Sequence, residues 1–159
     1  MTSAAQLLHT IALVAHIAAG GAGLLLAGPI LLAPKRRGRH TYLGRTYAIA
    51  TAVLCVSAFV LAAYDPAALW PFLIIGAATA AWAGGGVWMA RRRPVRDWYI
   101  WHLNLMGSSV IAFVTAFAMQ MADNALWSVI TPTLVGAPLI AYRTASAIVA
   151  RRRSRAARA

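Results

Sequence analysis

Five apolar runs, each long enough to cross a lipid bilayer, constrain this chain of 159 residues more than any other feature. At about 1.5 Å per residue, a helix of about 20 residues spans the hydrocarbon core of roughly 30 Å. Short polar segments that carry proline, aspartate or arginine separate the runs. The sequence therefore predicts an all-α, integral membrane bundle of five transmembrane helices in a single membrane domain over 1–159. The predicted spans are 7–33, 43–64, 69–90, 98–122 and 126–149, followed by a basic cytoplasmic tail at 150–159.

The composition supports a membrane protein, because 61% of the residues are apolar and only 11% are charged. An ordinary soluble domain has about 25% charged residues. The net charge of +12 does not indicate a nucleic-acid-binding protein, since the cations lie in short clusters between apolar runs. The expected partner is the lipid bilayer, with no nucleic acid. A homo-oligomer and a larger membrane complex both remain open.

The cations also predict the orientation, because short loops rich in Lys and Arg stay in the cytoplasm. All 15 lie in or beside the connection of the first and second spans, in that of the third and fourth spans, or towards the C-terminal end of the chain. The N-terminal segment and the other two connections have none. We therefore expect the N-terminus outside and the C-terminus in the cytoplasm. No basic residue precedes Leu7, so a cleaved signal peptide is not expected.

Histidines inside apolar runs are the best functional lead, since ionisable groups in a bilayer are costly and usually face the bundle interior. His9 and His16 share one stripe of the first span. His40 shares a face with Gly44, Tyr47 and Thr51 at the start of the second span. On the fourth span one stripe contains His102, Met106, Ser109, Phe113 and Gln120.

Histidine beside small residues in a helical bundle is typical of a b-type haem site, because neutral imidazole binds iron axially. His16 and His102 should differ by about 15 to 20 Å in depth, which disfavours that pair as ligands of one iron. His40 and His102 match in depth. Tyr47 and Arg45 near His40 suit haem propionates, a quinone ring or lipid phosphates. The alternative is a positive-inside anchor with an aromatic rim.

The candidate cofactor-binding residues are therefore His16, His40, His102, Arg45 and Tyr47. The candidate metal ligands are His40, His102 and Met106. A copper site on His102 and Met106 ranks below haem, because one helical turn supplies only two ligands.

Three ordered motifs resemble an uncharacterised family of bacterial predicted multi-pass membrane proteins, classed as a domain of unknown function. They are His16-Ile-Ala-Ala-Gly20 with Gly28-Pro29, His40-x-x-x-Gly44-Arg45-x-Tyr47, and Trp101-His102-x-x-x-Met106-x-x-Ser109. The resemblance reaches from the first span to the fourth, and it implies a multi-pass protein of the bacterial inner membrane. It selects His16, His40 and His102. Family members often have Arg after the middle histidine, where this chain has Thr41.

Several classes of function are not favoured. No Asp or Glu lies inside a predicted span, so a carboxylate proton relay has no carrier. Phosphate-binding loops, Cys-x-x-Cys and His-Glu-x-x-His are absent, and the single Cys55 is expected to be a small buried apolar residue. Whether the chain is an enzyme stays open. Two hypotheses remain: a small redox protein that binds haem b or a quinone, and a non-catalytic membrane subunit or solute channel with structural histidines.

Overall fold

The computed structural model describes residues 3–32 and 38–156, except for the side chains of residues 32, 154 and 155. The described part contains five helices and no strand. They are α1 (Ser3–Leu32), α2 (Arg39–Ala62), α3 (Pro66–Arg92), α4 (Trp98–Met121) and α5 (Leu126–Ala156). All five are long enough and apolar enough to cross a membrane. The predicted end of the first span at Ala33 lies outside the described residues, as do Lys35, Arg36, Arg37 and Arg158.

Local chemistry explains where the helices begin and end. The Asp65 carboxylate accepts a hydrogen bond from the backbone N–H of Ala68 at 3.1 Å, so it caps α3. Pro66 then begins the helix, where its missing N–H costs nothing. Arg93, Asp123 and Asn124 have positive φ values of 49°, 49° and 59°, which ends α3 and α4 in the left-handed conformation common at helix C-termini.

Helix α5 continues beyond the predicted end of the fifth span, through Arg151, Arg152 and Arg153. Arginine and alanine are good helix formers, and cations near a helix C-terminus interact favourably with its dipole. The expected basic tail therefore begins as a helical extension. The helix also continues through Pro132 and Pro138.

The chain divides into two compact units, a first unit of Met1–Ala81 and a second unit of Trp82–Ala159. The boundary falls inside α3, so each unit contains part of that helix. The single membrane domain expected from the sequence stays a prediction.

In the first unit, α1 and α2 pack as an antiparallel pair. Three contacts define the register: His9 with Tyr64, His16 with Ser57, and Gly20 with Leu54. The buried residues of α1 are mostly small, which lets the helices approach closely. They are Ala12, Ala19, Gly23, Ala27 and Ile30. Cys55 of α2 is buried, with its Sγ 3.5 Å from the Gly76 carbonyl oxygen of α3, so the prediction of a buried cysteine is confirmed.

In the second unit, α4 and α5 form another antiparallel pair. The Asn104 amide donates to Thr144 Oγ1 at 3.1 Å. Two glycines accept isoleucine side chains from the opposite helix: Gly107 of α4 lies against Ile140, and Gly136 of α5 lies against Ile111. The last turns of α3 pack on the first turns of α4, where Gly85 faces Leu105 and Gly86 faces Met106.

Candidate cofactor-binding histidines

His102 lies in the second turn of α4, and its ring is fixed by the backbone of α3. Its Nδ1 is 2.8 Å from the carbonyl oxygen of Gly86. A carbonyl oxygen only accepts hydrogen bonds, so the neutral imidazole must carry its proton on Nδ1 and donate it. The lone pair of the neutral ring is then on Nε2. This is the tautomer that a histidine ligand uses when its other nitrogen binds a metal.

Gly86 makes this contact possible because it has no side chain. A Cβ at Gly86 would lie 2.6 Å from Met106 Sδ and 3.3 Å from the Met106 backbone nitrogen. Met106 is one turn after His102, so both residues lie against the same glycine. The Met106 carbonyl accepts a hydrogen bond from the buried Ser109 hydroxyl at 2.8 Å. His102, Met106 and Ser109 thus face the helices packed against α4.

The predicted stripe on α4 stays buried at Ser109 and Phe113 but not at its far end. Gln120 is exposed, and Met119 is buried instead. A line parallel to the helix axis leaves the contact surface when two helices cross at an angle. Gln120 therefore belongs to the predicted stripe but not to its buried part.

His16 also contacts a neighbouring helix through its Nδ1, which is 3.2 Å from Ser57 Oγ on α2. The Ser57 oxygen is also 2.8 and 2.9 Å from the carbonyl oxygens of Val53 and Leu54. When the Ser57 proton is directed to a carbonyl, Ser57 accepts from the Nδ1–H tautomer of His16, and when it is directed to His16, Ser57 donates to Nδ1.

His9, the histidine outside the motifs, packs on an aromatic ring. It meets Tyr64 edge to face, with ring centroids 5.1 Å apart, and the Tyr64 hydroxyl donates to the Ala5 carbonyl at 3.0 Å. Both histidines of α1 thus face α2. His9 serves as a natural control for the others.

The three residues that the sequence groups at the start of α2 differ in exposure. His40 is half-buried, Arg45 is exposed, and Tyr47 is 1% exposed. Two residues apart on a helix, Arg45 and Tyr47 point in nearly opposite directions. Tyr47 is therefore a core residue, and the neighbouring Tyr42, which is exposed, fits an aromatic rim better.

Thr51, one turn after Tyr47, is buried, and its hydroxyl has no hydrogen-bond partner among the described residues. A buried polar atom without a partner is costly. The sequence predicts that Thr51 lies on the same face of α2 as His40, but it does not predict that the Thr51 hydroxyl lacks a partner among the described residues. Ser57 and Gly86, which orient His16 and His102, were also not predicted, although Ser57 is a polar residue inside an apolar run.

No group of three or more His, Cys, Asp or Glu residues close enough to hold a metal ion occurs among the described residues. The predicted metal ligands His40, His102 and Met106 are divided between the two units. That ligand set stays a prediction.

No protein-family model, no curated protein and no solved structure matches the chain. The resemblance of its motifs to an uncharacterised membrane-protein family therefore stays a prediction.

Proposed function

We propose that the chain is a multi-pass protein of the bacterial inner membrane with its N-terminus outside and its C-terminus in the cytoplasm. Five helices of membrane-spanning length and the one-sided distribution of Lys and Arg support this topology. Fusing a reporter that works only in the cytoplasm to each connection tests it. Activity is expected after α1, α3 and α5 and not after α2 or α4. The opposite pattern would contradict the orientation.

We further propose that the protein binds a b-type haem, with His102 as one axial ligand. His40 is the candidate for the second, because the sequence predicts that it lies at the same depth in the membrane as His102. The observation that carries this proposal is the hydrogen bond from His102 Nδ1 to the Gly86 carbonyl. Histidine ligands almost always donate their second ring nitrogen in this way, which orients the ring and raises its basicity. When bound, the haem would supply one-electron redox chemistry.

The same hydrogen bond favours haem over an oxidised quinone. A neutral His102 in this tautomer offers an acceptor at Nε2 and no donor there. A quinone carbonyl needs a donor, whereas iron needs a lone pair. Quinol hydroxyls would also suit Nε2, so a quinol remains the second choice of ligand.

An absorption spectrum of the purified protein tests the haem proposal. The full chain is expressed with haem supplied, purified in mild detergent, and measured after air oxidation and after reduction by dithionite. We expect a Soret band and sharp reduced α and β bands, which His102→Ala and His40→Ala abolish. His9→Ala is the matched control and should keep the bands, because His9 packs on Tyr64. A folded, colourless wild-type protein would overturn the proposal.

A second candidate is a non-catalytic membrane subunit or a small solute channel. The specific observation in its favour is that His16 and His102 each join two helices by a hydrogen bond. Such bonds are worth about 0.6 kcal/mol on average in membrane bundles. In this case His16→Ala and His102→Ala lower stability in a colourless protein. Co-purification from solubilised membranes then identifies partner subunits, and solute flux into vesicles tests the channel.

A further inference from the structure

Three helix ends of the second unit meet in one cluster of aromatic and charged residues. The Arg93 guanidinium, just after α3, lies over the Trp98 ring at 4.7 Å from its centroid. Trp98 meets Tyr99 edge to face, with centroids 6.0 Å apart. Arg151 of α5 lies 5.7 Å from the centroid of the Tyr99 ring and donates to the Asp97 carboxylate at 2.9 Å. We call these residues the arginine–aromatic cluster.

The cluster and the chain beside it have more positive charge than their one carboxylate neutralises. Asp97 is the one carboxylate at this end of the second unit among the described residues, and its oxygen is already bonded to Arg151. Arg93 of the cluster is exposed, and so are five arginines on the adjoining chain. They are Arg91, Arg92, Arg96, Arg152 and Arg153. An anion is therefore the complementary ligand for this surface.

Arg93 is the residue best placed to bind an anion. The five N–H donors of a guanidinium lie in its own plane, and contact with an aromatic face does not use them. No acceptor among the described residues contacts them. The forked donors match the oxygens of a phosphate group, and the contact with Trp98 restricts the side chain before the ligand arrives.

We propose that the arginine–aromatic cluster binds the phosphate of an anionic phospholipid, with Arg93 as the main ligand. The exposed Trp101, one turn after Trp98, provides apolar surface for the acyl chains. Indole rings favour the headgroup layer, where the phosphates lie. The proposal requires α3, α4 and α5 to cross the bilayer, and it does not depend on haem.

Binding of a fluorescent phosphatidylglycerol to the full chain in neutral detergent tests the proposal. Arg93→Gln is expected to weaken binding about fivefold, which is the effect of removing one cation near an anionic headgroup. Arg152→Gln makes the same change of charge at an exposed arginine outside the cluster and is expected to weaken binding less than Arg93→Gln does. Trp98→Leu leaves the net charge unchanged and should also weaken binding. Circular dichroism and gel filtration confirm that each variant is folded.

Two outcomes would overturn the proposal. If Arg93→Gln and Arg152→Gln weaken binding equally and Trp98→Leu has no effect, the surface responds to net charge and has no defined site. If millimolar inorganic phosphate displaces the labelled lipid, the site recognises free phosphate. As a control, a phosphatidylcholine probe of the same chain length has the same phosphate but no net charge, and it should bind weakly to every variant.

Discussion

The two antiparallel helix pairs, α1 with α2 and α4 with α5, are held together by different sets of contacts. Between α1 and α2, the contacts that set the register include polar side chains: His16 with Ser57, and His9 with Tyr64, whose hydroxyl reaches the Ala5 carbonyl. Between α4 and α5, bulky side chains fill the spaces left by glycines, as Ile140 does at Gly107 and Ile111 at Gly136. The second pair also has a side-chain hydrogen bond, from Asn104 to Thr144, so the two pairs differ in the glycine–isoleucine contacts of the second and the histidine contacts of the first.

This difference matters because lipid is as apolar as leucine, so burial alone does not drive helices together in a bilayer. Van der Waals packing and interhelical hydrogen bonds remain, and both helix pairs use both of them at different positions. Substitutions should therefore act differently in the two units. A larger side chain should lower the stability of the protein most in the second unit. Loss of a polar atom should lower it most in the first unit.

The largest effect is expected from Gly86→Ala in the second unit. The new methyl group would press on Met106, including its backbone nitrogen, which cannot move as a side-chain end can. Overpacking of this kind costs about 1 to 3 kcal/mol. Unfolding in mixed detergent and SDS micelles, followed by tryptophan fluorescence, measures the change.

Gly84→Ala is the matched control for Gly86→Ala. It lies on the same helix, and a Cβ there meets no atom of the described residues within 4 Å. Alanine is a better helix former than glycine by about 1 kcal/mol, so Gly84→Ala is expected to be neutral or slightly stabilising. Equal destabilisation by both variants would show that the close approach at Gly86 is not what holds α3 and α4 together.

The glycines also show how far the sequence alone could lead. Hydropathy and length predict five helices, because those features are local to each run. The partner of each side chain depends on how neighbouring helices cross, which no local pattern records. Gly84 and Gly86 are equivalent in the sequence, yet only Gly86 is in close contact. Likewise the face of α4 that begins at His102 could be predicted, but not that its buried surface would end at Met119 instead of Gln120.

In the first unit, Ser57→Ala tests the hydrogen bond that orients His16. It removes the hydrogen-bond partner of His16 Nδ1 and leaves a polar nitrogen in an apolar contact. The expected cost is about 0.6 kcal/mol, the mean for interhelical hydrogen bonds in a membrane protein, and at most about 1.7 kcal/mol. Thr10→Ala is the control, since the Thr10 hydroxyl is exposed and bonds only within α1, to the Gln6 carbonyl. If the two variants are equally stable, the contact between His16 and Ser57 contributes nothing to the packing of the pair.

The smallest effect is expected at Thr51, and its sign is informative. Thr51→Val keeps the shape of the side chain and removes a buried hydroxyl that has no partner among the described residues. It should therefore be neutral or stabilise the protein by about 0.5 kcal/mol. Thr79, equally buried in the same unit, donates to the Ile75 carbonyl at 2.7 Å, so Thr79→Val should instead cost about 0.5 kcal/mol. If Thr51→Val is the more damaging of the two, the Thr51 hydroxyl must have a partner outside the described chain, and polar contacts in the first unit would then extend beyond the pair of α1 and α2.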